Sequence, residues 1–129
     1  MIRLEPRSFK LGDTIPIWVR PNEDVSLHVD FPESVIDNTK FRLALEELDW
    51  PYMPSSYQKF ERIEIENTQD NVVFKETKLN EYQYRVSVII PVDIIKSLRN
   101  RVIDLQLIGE RDGRTWVIAD GTLTVAQGD

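Results

Sequence analysis

From Tyr82 to Ile90 the chain alternates. Tyr82, Tyr84, Val86, Val88 and Ile90 share one phase, and mostly polar residues occupy the other. A period of two is the mark of a strand with one buried face. Pro91 has no N–H to give to a ladder and ends that strand. Residues Val92 to Leu98 then space their apolar side chains three to four apart, which predicts one short helix. Alternation resumes from Val102 to Ile108, with Ile103, Leu105 and Leu107 inward and Asp104 and Gln106 outward. Asp112-Gly113 tolerates the positive φ of a tight hairpin, and Thr115 to Ala119 returns with β-branched and aromatic residues, which places Trp116 in the core. Asp120-Gly121 predicts a break or bulge before a last strand from Thr122 to Val125.

The N-terminal half carries the same period less cleanly. Thr14 to Arg20 reads as a strand that Pro16 confines to a sheet edge, a strand start or a bulge, and Val25 to Val29 alternates with Val25, Leu27 and Val29 on one side. Phe41 to Leu48 is ambiguous. Its Ala, Leu and Glu favour helix, but Phe41, Leu43 and Leu45 alternate, and strand is the reading adopted. Arg62 to Glu66 and Asn71 to Lys75 add two short strands on either side of a turn at Asn67 to Asp70. With about eight strands at regular spacing and no long helices between them, the expected fold is all-β: an antiparallel, immunoglobulin-like β-sandwich with one short helix near residues 92–98. A length of 129 residues suits one such domain spanning 1–129.

Composition narrows the function classes. Apolar residues at 41% and charged residues at 29% describe a folded globular chain. A formal net charge of −6 argues against nucleic acid as a partner, because phosphate binders depend on clustered Lys and Arg. With zero Cys, disulfides, thiolate nucleophiles and Cys-based metal sites are all excluded. The first residues, Met1 to Lys10, scatter charge where a signal peptide needs an apolar run, and no stretch is apolar enough to span a membrane. The expectation is a protein made in the cytoplasm, with no membrane association.

Catalytic chemistry finds little to work with. His28 is the single histidine and lies on the polar phase of its strand; without Cys or further His it lacks the partners of a metal site or triad, and a surface or interface position is expected. Glu61, Glu64 and Glu66 cluster, with Glu64 and Glu66 on one face. Paired carboxylates run glycoside hydrolysis or bind Ca²⁺, but same-face acids on a solvated strand are far commoner, and no loop of spaced acids and Gly accompanies them. The serines lack a Gly-x-Ser-x-Gly elbow, and the five glycines are too dispersed to cradle a phosphate. A non-enzymatic protein without cofactor or metal is expected.

The informative irregular stretch runs from Asp49 to Phe60. Trp50, Tyr52, Met53, Tyr57 and Phe60 are residue types enriched at protein interfaces, and Pro51 and Pro54 reduce the entropy lost when such a loop docks. The same aromatics could instead cap one end of their own sandwich. A carbohydrate-binding or adhesion surface, with Trp50, Tyr52 and Tyr57 as stacking rings, is the alternative function.

Two segments carry a family likeness. Gly12-Asp13-Thr14-Ile15-Pro16-Ile17 is a "Gly-Asp-Thr" entry into an apolar strand. The C-terminal part then combines the short helix with Asp104-Leu105-Gln106-Leu107, Asp112-Gly113 and Gly121-Thr122-Leu123-Thr124-Val125. In this layout the chain resembles immunoglobulin-like β-sandwich modules of tailed-phage virion proteins, including the N-terminal domain of upper baseplate proteins. The likeness covers the two ends and not the Trp50 to Phe60 loop. It implies a virion structural protein that docks onto capsid, neck or tail proteins, with repetition around a symmetric particle as the implied oligomer. Baseplate modules usually continue into a stalk. A sequence ending four residues after Val125 therefore suggests an attachment or decoration module.

Overall fold

A computed structural model of the chain describes residues 7–12, 16–67 and 73–126. The elements in chain order are β1 (Arg7–Lys10), β2 (Pro16–Val19), β3 (Val25–Phe31), β4 (Lys40–Glu47), β5 (Ile63–Glu66), β6 (Phe74–Asn80), β7 (Gln83–Ile90), α1 (Val92–Ser97), β8 (Val102–Arg111) and β9 (Arg114–Val125). They form a four-stranded sheet of order β1-β3-β7-β6 and a five-stranded sheet of order β2-β9-β8-β4-β5. Taking β3 as strand B, the strand orders are those of an immunoglobulin sandwich, A-B-E-D against G-F-C-C′, except that β1 runs parallel to β3 and β2 is an added parallel strand beside G. The all-β sandwich expected from the periodicity is what forms, with nine strands among the described residues and one short helix.

Its sheets are not wholly antiparallel. β1 pairs with β3 and β2 pairs with β9 in parallel, and the other pairings between these strands are antiparallel. Parallel partners cannot be joined by a two-residue turn, so no hairpin signal announces them in the sequence. β2 is an edge strand that begins at Pro16, a position where the missing N–H costs the ladder nothing.

The core lies between the sheets. Leu27, Val86, Val88 and Ile90 from the four-stranded sheet and Leu43, Leu45, Ile103, Leu105 and Leu123 from the five-stranded sheet are all buried in one cluster. Phe41 links the layers, with its ring centroid 6.1 Å from that of Phe31 and 5.8 Å from that of Phe74. Alternation resolved the doubtful segment at Phe41 correctly, because burying Phe41, Leu43 and Leu45 on one sheet face outweighs a helix propensity of a few tenths of a kcal/mol per residue. Helix α1 closes one end. The Pro91 carbonyl accepts from the N–H groups of Ile94 and Ile95 at 3.0 and 3.1 Å, and Ile95 and Leu98 are fully buried.

The β8–β9 hairpin turns at Asp112 and Gly113, both with positive φ (53° and 76°), as the Asp-Gly pair predicts for a type I′ turn. The expected break at Asp120-Gly121 does not occur, since β9 runs unbroken through it. The register shift lies earlier. Leu107 pairs with Ala119 and Ile108 with Val117, so Ile118 is the extra residue. Trp116, expected in the core, is instead exposed. It pairs with Gly109 beyond the shift, and a side chain built on Gly109 would collide with Ile118 and press on Trp116, so the glycine makes room for both to fold over it. Tyr82 also departs from its expected strand face. It sits exposed in the β6–β7 turn, where Asn80 Oδ1 accepts its backbone N–H at 2.9 Å. The turn expected at Asn67 to Asp70 lies mostly outside the described residues, although Asn67 Oδ1 accepts from the N–H groups of Val73 and Phe74 at 3.0 and 2.7 Å.

Candidate interaction surface

The loop between β4 and β5 begins where β4 still has one inward position left, and the residue at that position is Glu47. Its side chain is almost wholly out of solvent. An unpaired buried carboxylate would be prohibitively costly, and three groups answer it. The Tyr57 hydroxyl donates at 2.5 Å, Arg101 Nη1 at 2.5 Å and the Phe60 N–H at 3.0 Å. Arg101, from the segment between α1 and β8, also donates to Tyr57 Oη and to the Gln58 carbonyl, both at 3.0 Å. Burial alone would raise the Glu47 carboxyl; the bonds from Tyr57, Phe60 and Arg101 outweigh it and hold the group below the usual carboxylate value. Tyr57 moves the other way. Donating to Glu47, together with burial, raises its phenol.

This cluster fixes the loop to the body of the domain and divides the five aromatic and Met positions. Tyr57 and Phe60 are partly buried against their own chain, and Phe60 packs on the core. Met53 is partly buried as well. Trp50 is 42% exposed and meets the Tyr57 ring edge-on, with centroids 5.4 Å apart and planes at 77°. Tyr52 is 97% exposed. It occupies a turn in which the Met53 N–H donates to the Trp50 carbonyl at 3.3 Å, and its own φ is 66°, a left-handed conformation that costs a non-glycine residue about 1 kcal/mol. Capping and presentation therefore fall to different residues of one loop. Tyr57 and Phe60 cap, and Tyr52 with the exposed part of Trp50 projects.

The carboxylates singled out in the sequence are solvated. Glu64 meets Arg42 at 3.4 Å and Arg62 at 3.3 Å on the outer face of the sheet, and Glu66 is exposed on the edge strand. No group of three or more His, Cys, Asp or Glu among the described residues is placed to hold a metal ion. His28 is not at the surface as expected. It is buried with Nδ1 at 2.6 Å from Ser8 Oγ, and burial followed by the nearby Arg85 charge lowers its pKa from the ordinary value. This Ser–His contact lacks the acid of a triad. Asp30, on the same face, is held by Arg85 at 2.9 and 3.2 Å and by Gln83 at 2.9 Å. An open cleft of about 350 Å³ lies at the opposite end of the sheet, beside the β8–β9 turn. Its Arg111 is committed to Asn38 and Thr39 at 2.8 to 3.2 Å, which ties that loop to the hairpin.

Sequence reasoning did not single out Glu47 or Arg101, although the signal was present. Glu47 falls on the same phase as Phe41, Leu43 and Leu45, and a charge on an apolar phase announces a buried partner. Arg101 could not be found the same way, because it lies in irregular chain with no period. No helix among the described residues is long and apolar enough to cross a membrane. Compared with known protein families and with curated protein sequences, the chain matches none.

Proposed function

We propose that this domain is a non-enzymatic docking module that attaches to other proteins through the loop between β4 and β5. The observation that carries it is Tyr52, a fully presented aromatic side chain on a loop whose base is locked by the Glu47–Tyr57–Arg101 cluster. An aromatic ring offers large contact area for little lost rotamer entropy, and a fixed loop base removes most of the ordering cost of binding. Resemblance of the two ends of the chain to tailed-phage modules supports a virion as the setting, with a capsid or tail protein as the docking partner.

A carbohydrate platform is less well supported by this geometry. Sugar stacking asks for ring faces presented side by side, whereas Trp50 and Tyr57 stand nearly perpendicular and Tyr57 is partly covered. Imaging of purified phage particles that carry this protein, with wild-type chain and Tyr52→Ser, tests the proposal. Density for the domain with its Tyr52 loop against a capsid or tail protein, weakened in the variant, is the expected result. Absence of the protein from purified particles would remove the virion setting, and undiminished attachment of the variant would remove the loop as its contact.

A further inference from the structure

Trp18 was not among the residues the sequence pattern pointed to, yet it is the most exposed tryptophan of the domain at 64%. Ile17 and Val19 beside it are buried, so Trp18 faces outward from the five-stranded sheet. The register sets Trp18 opposite Thr124, and Thr124 opposite Val102. On the far side of β8, the Leu48 N–H donates to the Val102 carbonyl at 3.0 Å, one position beyond the Glu47–Ile103 pair. Trp18, Thr124, Val102 and Leu48 therefore form one row across β2, β9, β8 and the end of β4. Val102 is 45% exposed and Leu48 43%. Outward apolar side chains at neighbouring cross-strand positions make a ridge and not scattered surface residues.

The next positions along the same face include three acids. Thr122, Asp104 and Glu46 form the adjacent row, and Asp120 begins the one after it. Arg62 meets Glu46 at 3.1 Å, but Asp104 and Asp120 take no part in the ion pairs of the described residues. Burial, then the charges of Asp120 and Glu46, push the Asp104 carboxyl upward, with Arg62 acting in the opposite sense. The face thus combines an apolar ridge with an incompletely neutralised negative ledge, on a chain whose formal charge is −6.

We infer that this outer face docks a protein segment carrying apolar side chains beside Lys or Arg, the apolar groups covering the Trp18–Val102–Leu48 ridge and the cations meeting Asp104 and Asp120. The inference deepens the docking proposal and rests on it, since Leu48 both ends the ridge and opens the Tyr52 loop. A second copy of this chain fits less well. A two-fold contact presents the same patch from both sides, so ledge and net charge would meet their own sign.

The test uses two synthetic peptides, one alternating Leu with Lys and one alternating Leu with Glu, titrated into isotope-labelled protein with backbone amide shifts recorded. The Lys peptide should shift amides along β2, β8 and β9, and the Glu peptide should not. Trp18→Ser with Val102→Thr should weaken the Lys peptide by roughly tenfold or more, and Asp104→Asn with Asp120→Asn by roughly threefold to tenfold. The second pair keeps the ridge intact, so the test survives if the first pair unfolds the edge strand. Shifts that ignore both pairs of substitutions would overturn the inference. So would a dimer in sedimentation that dissociates in the Trp18→Ser, Val102→Thr protein. Tyr52→Ser separates the two claims. If it alone weakens attachment to particles while both pairs are inert, the loop proposal stands and the ridge is rejected; if none of the three has any effect, both fall.

Discussion

Two adjacent carboxylates of β4 anchor groups of charges that behave differently. Glu46 faces out and Glu47 faces in. Glu46 shares Arg62 with Glu64 on a wet sheet face, at 3.1 and 3.3 Å, with all three side chains around half exposed. Glu47 meets Arg101 in a setting from which water is nearly excluded, with a phenol and a backbone N–H completing its shell. The same arginine–carboxylate pairing carries different energetics in the two settings. Solvent screens the outer group, and its partners can be exchanged for water at little cost. In the inner group each member depends on the others, because a lone charge there has nothing to replace the lost partner.

Removing Arg101 should break the inner cluster with the largest effect. Arg101→Ala leaves the Glu47 carboxylate buried without its cation, and an unfolding free energy lower by about 3–5 kcal/mol is expected in urea titrations. The double variant Glu47→Gln, Arg101→Met removes both charges and keeps an acceptor for the Phe60 N–H. Recovery of most of that loss is expected, and a double variant as unstable as Arg101→Ala alone would show that packing of the arginine stem, not its charge, holds the loop.

Acid sensitivity sharpens the same contrast. Glu47 in the folded protein lies below its ordinary value of 4.5, so its contribution is fully present above that pH and is lost as the pH falls through the folded value. His28 is lowered from 6.5, which means the folded state prefers the neutral ring; its contribution is complete above that pH and fades as the pH drops below it. Thermal unfolding followed across the acid range should therefore lose stability in two windows. Glu47→Gln should flatten the lower window without abolishing it, since Asp30 and Glu76 are also depressed, and should leave the upper one unchanged.

On the outer face, Arg62→Ala should cost less than about 1 kcal/mol, and added salt should shrink the difference further. A loss of 3 kcal/mol or more in the same titration would mean that the outer group is as sheltered as the inner one. The smallest effect is expected at Tyr52→Gly. Relief of the left-handed strain and the greater freedom of glycine in the unfolded chain nearly cancel, so the unfolding midpoint should stay within about 0.5 kcal/mol of wild type while docking weakens.

Periodicity made most of this architecture legible, and its failures are informative. Where a strand has one buried face and a marked turn, as from Val86 to Ile90 or across Asp112-Gly113, local chemistry sufficed. Trp116 went astray because an extra residue at Ile118 shifts the register of β9, and a bulge leaves no trace in alternation until the partner strand is known. His28 went astray for a related reason. Its phase was read correctly as outward, but β1 supplies Ser8 beside it, and a parallel neighbour is invisible to a hairpin rule. At the loop, aromatic content located the region but not the division of labour, which depends on Glu47 and Arg101, distant in sequence and joined only by the fold. The Trp18 ridge was likewise hidden, since its members come from four separate segments.

The pairing of β2 with β9 also governs when the sheet can exist. Trp18 and its neighbours take their ladder partners from Thr122 to Val125, across nearly the whole described chain. Throughout synthesis, then, β2 waits without a template while β3, β4 and β8 find theirs. The outer row is assembled only after the last strand has emerged. Pairing strands so far apart in the chain costs more closure entropy than forming a hairpin, which makes the seam between the first and last strands of this sheet the expected final step of folding.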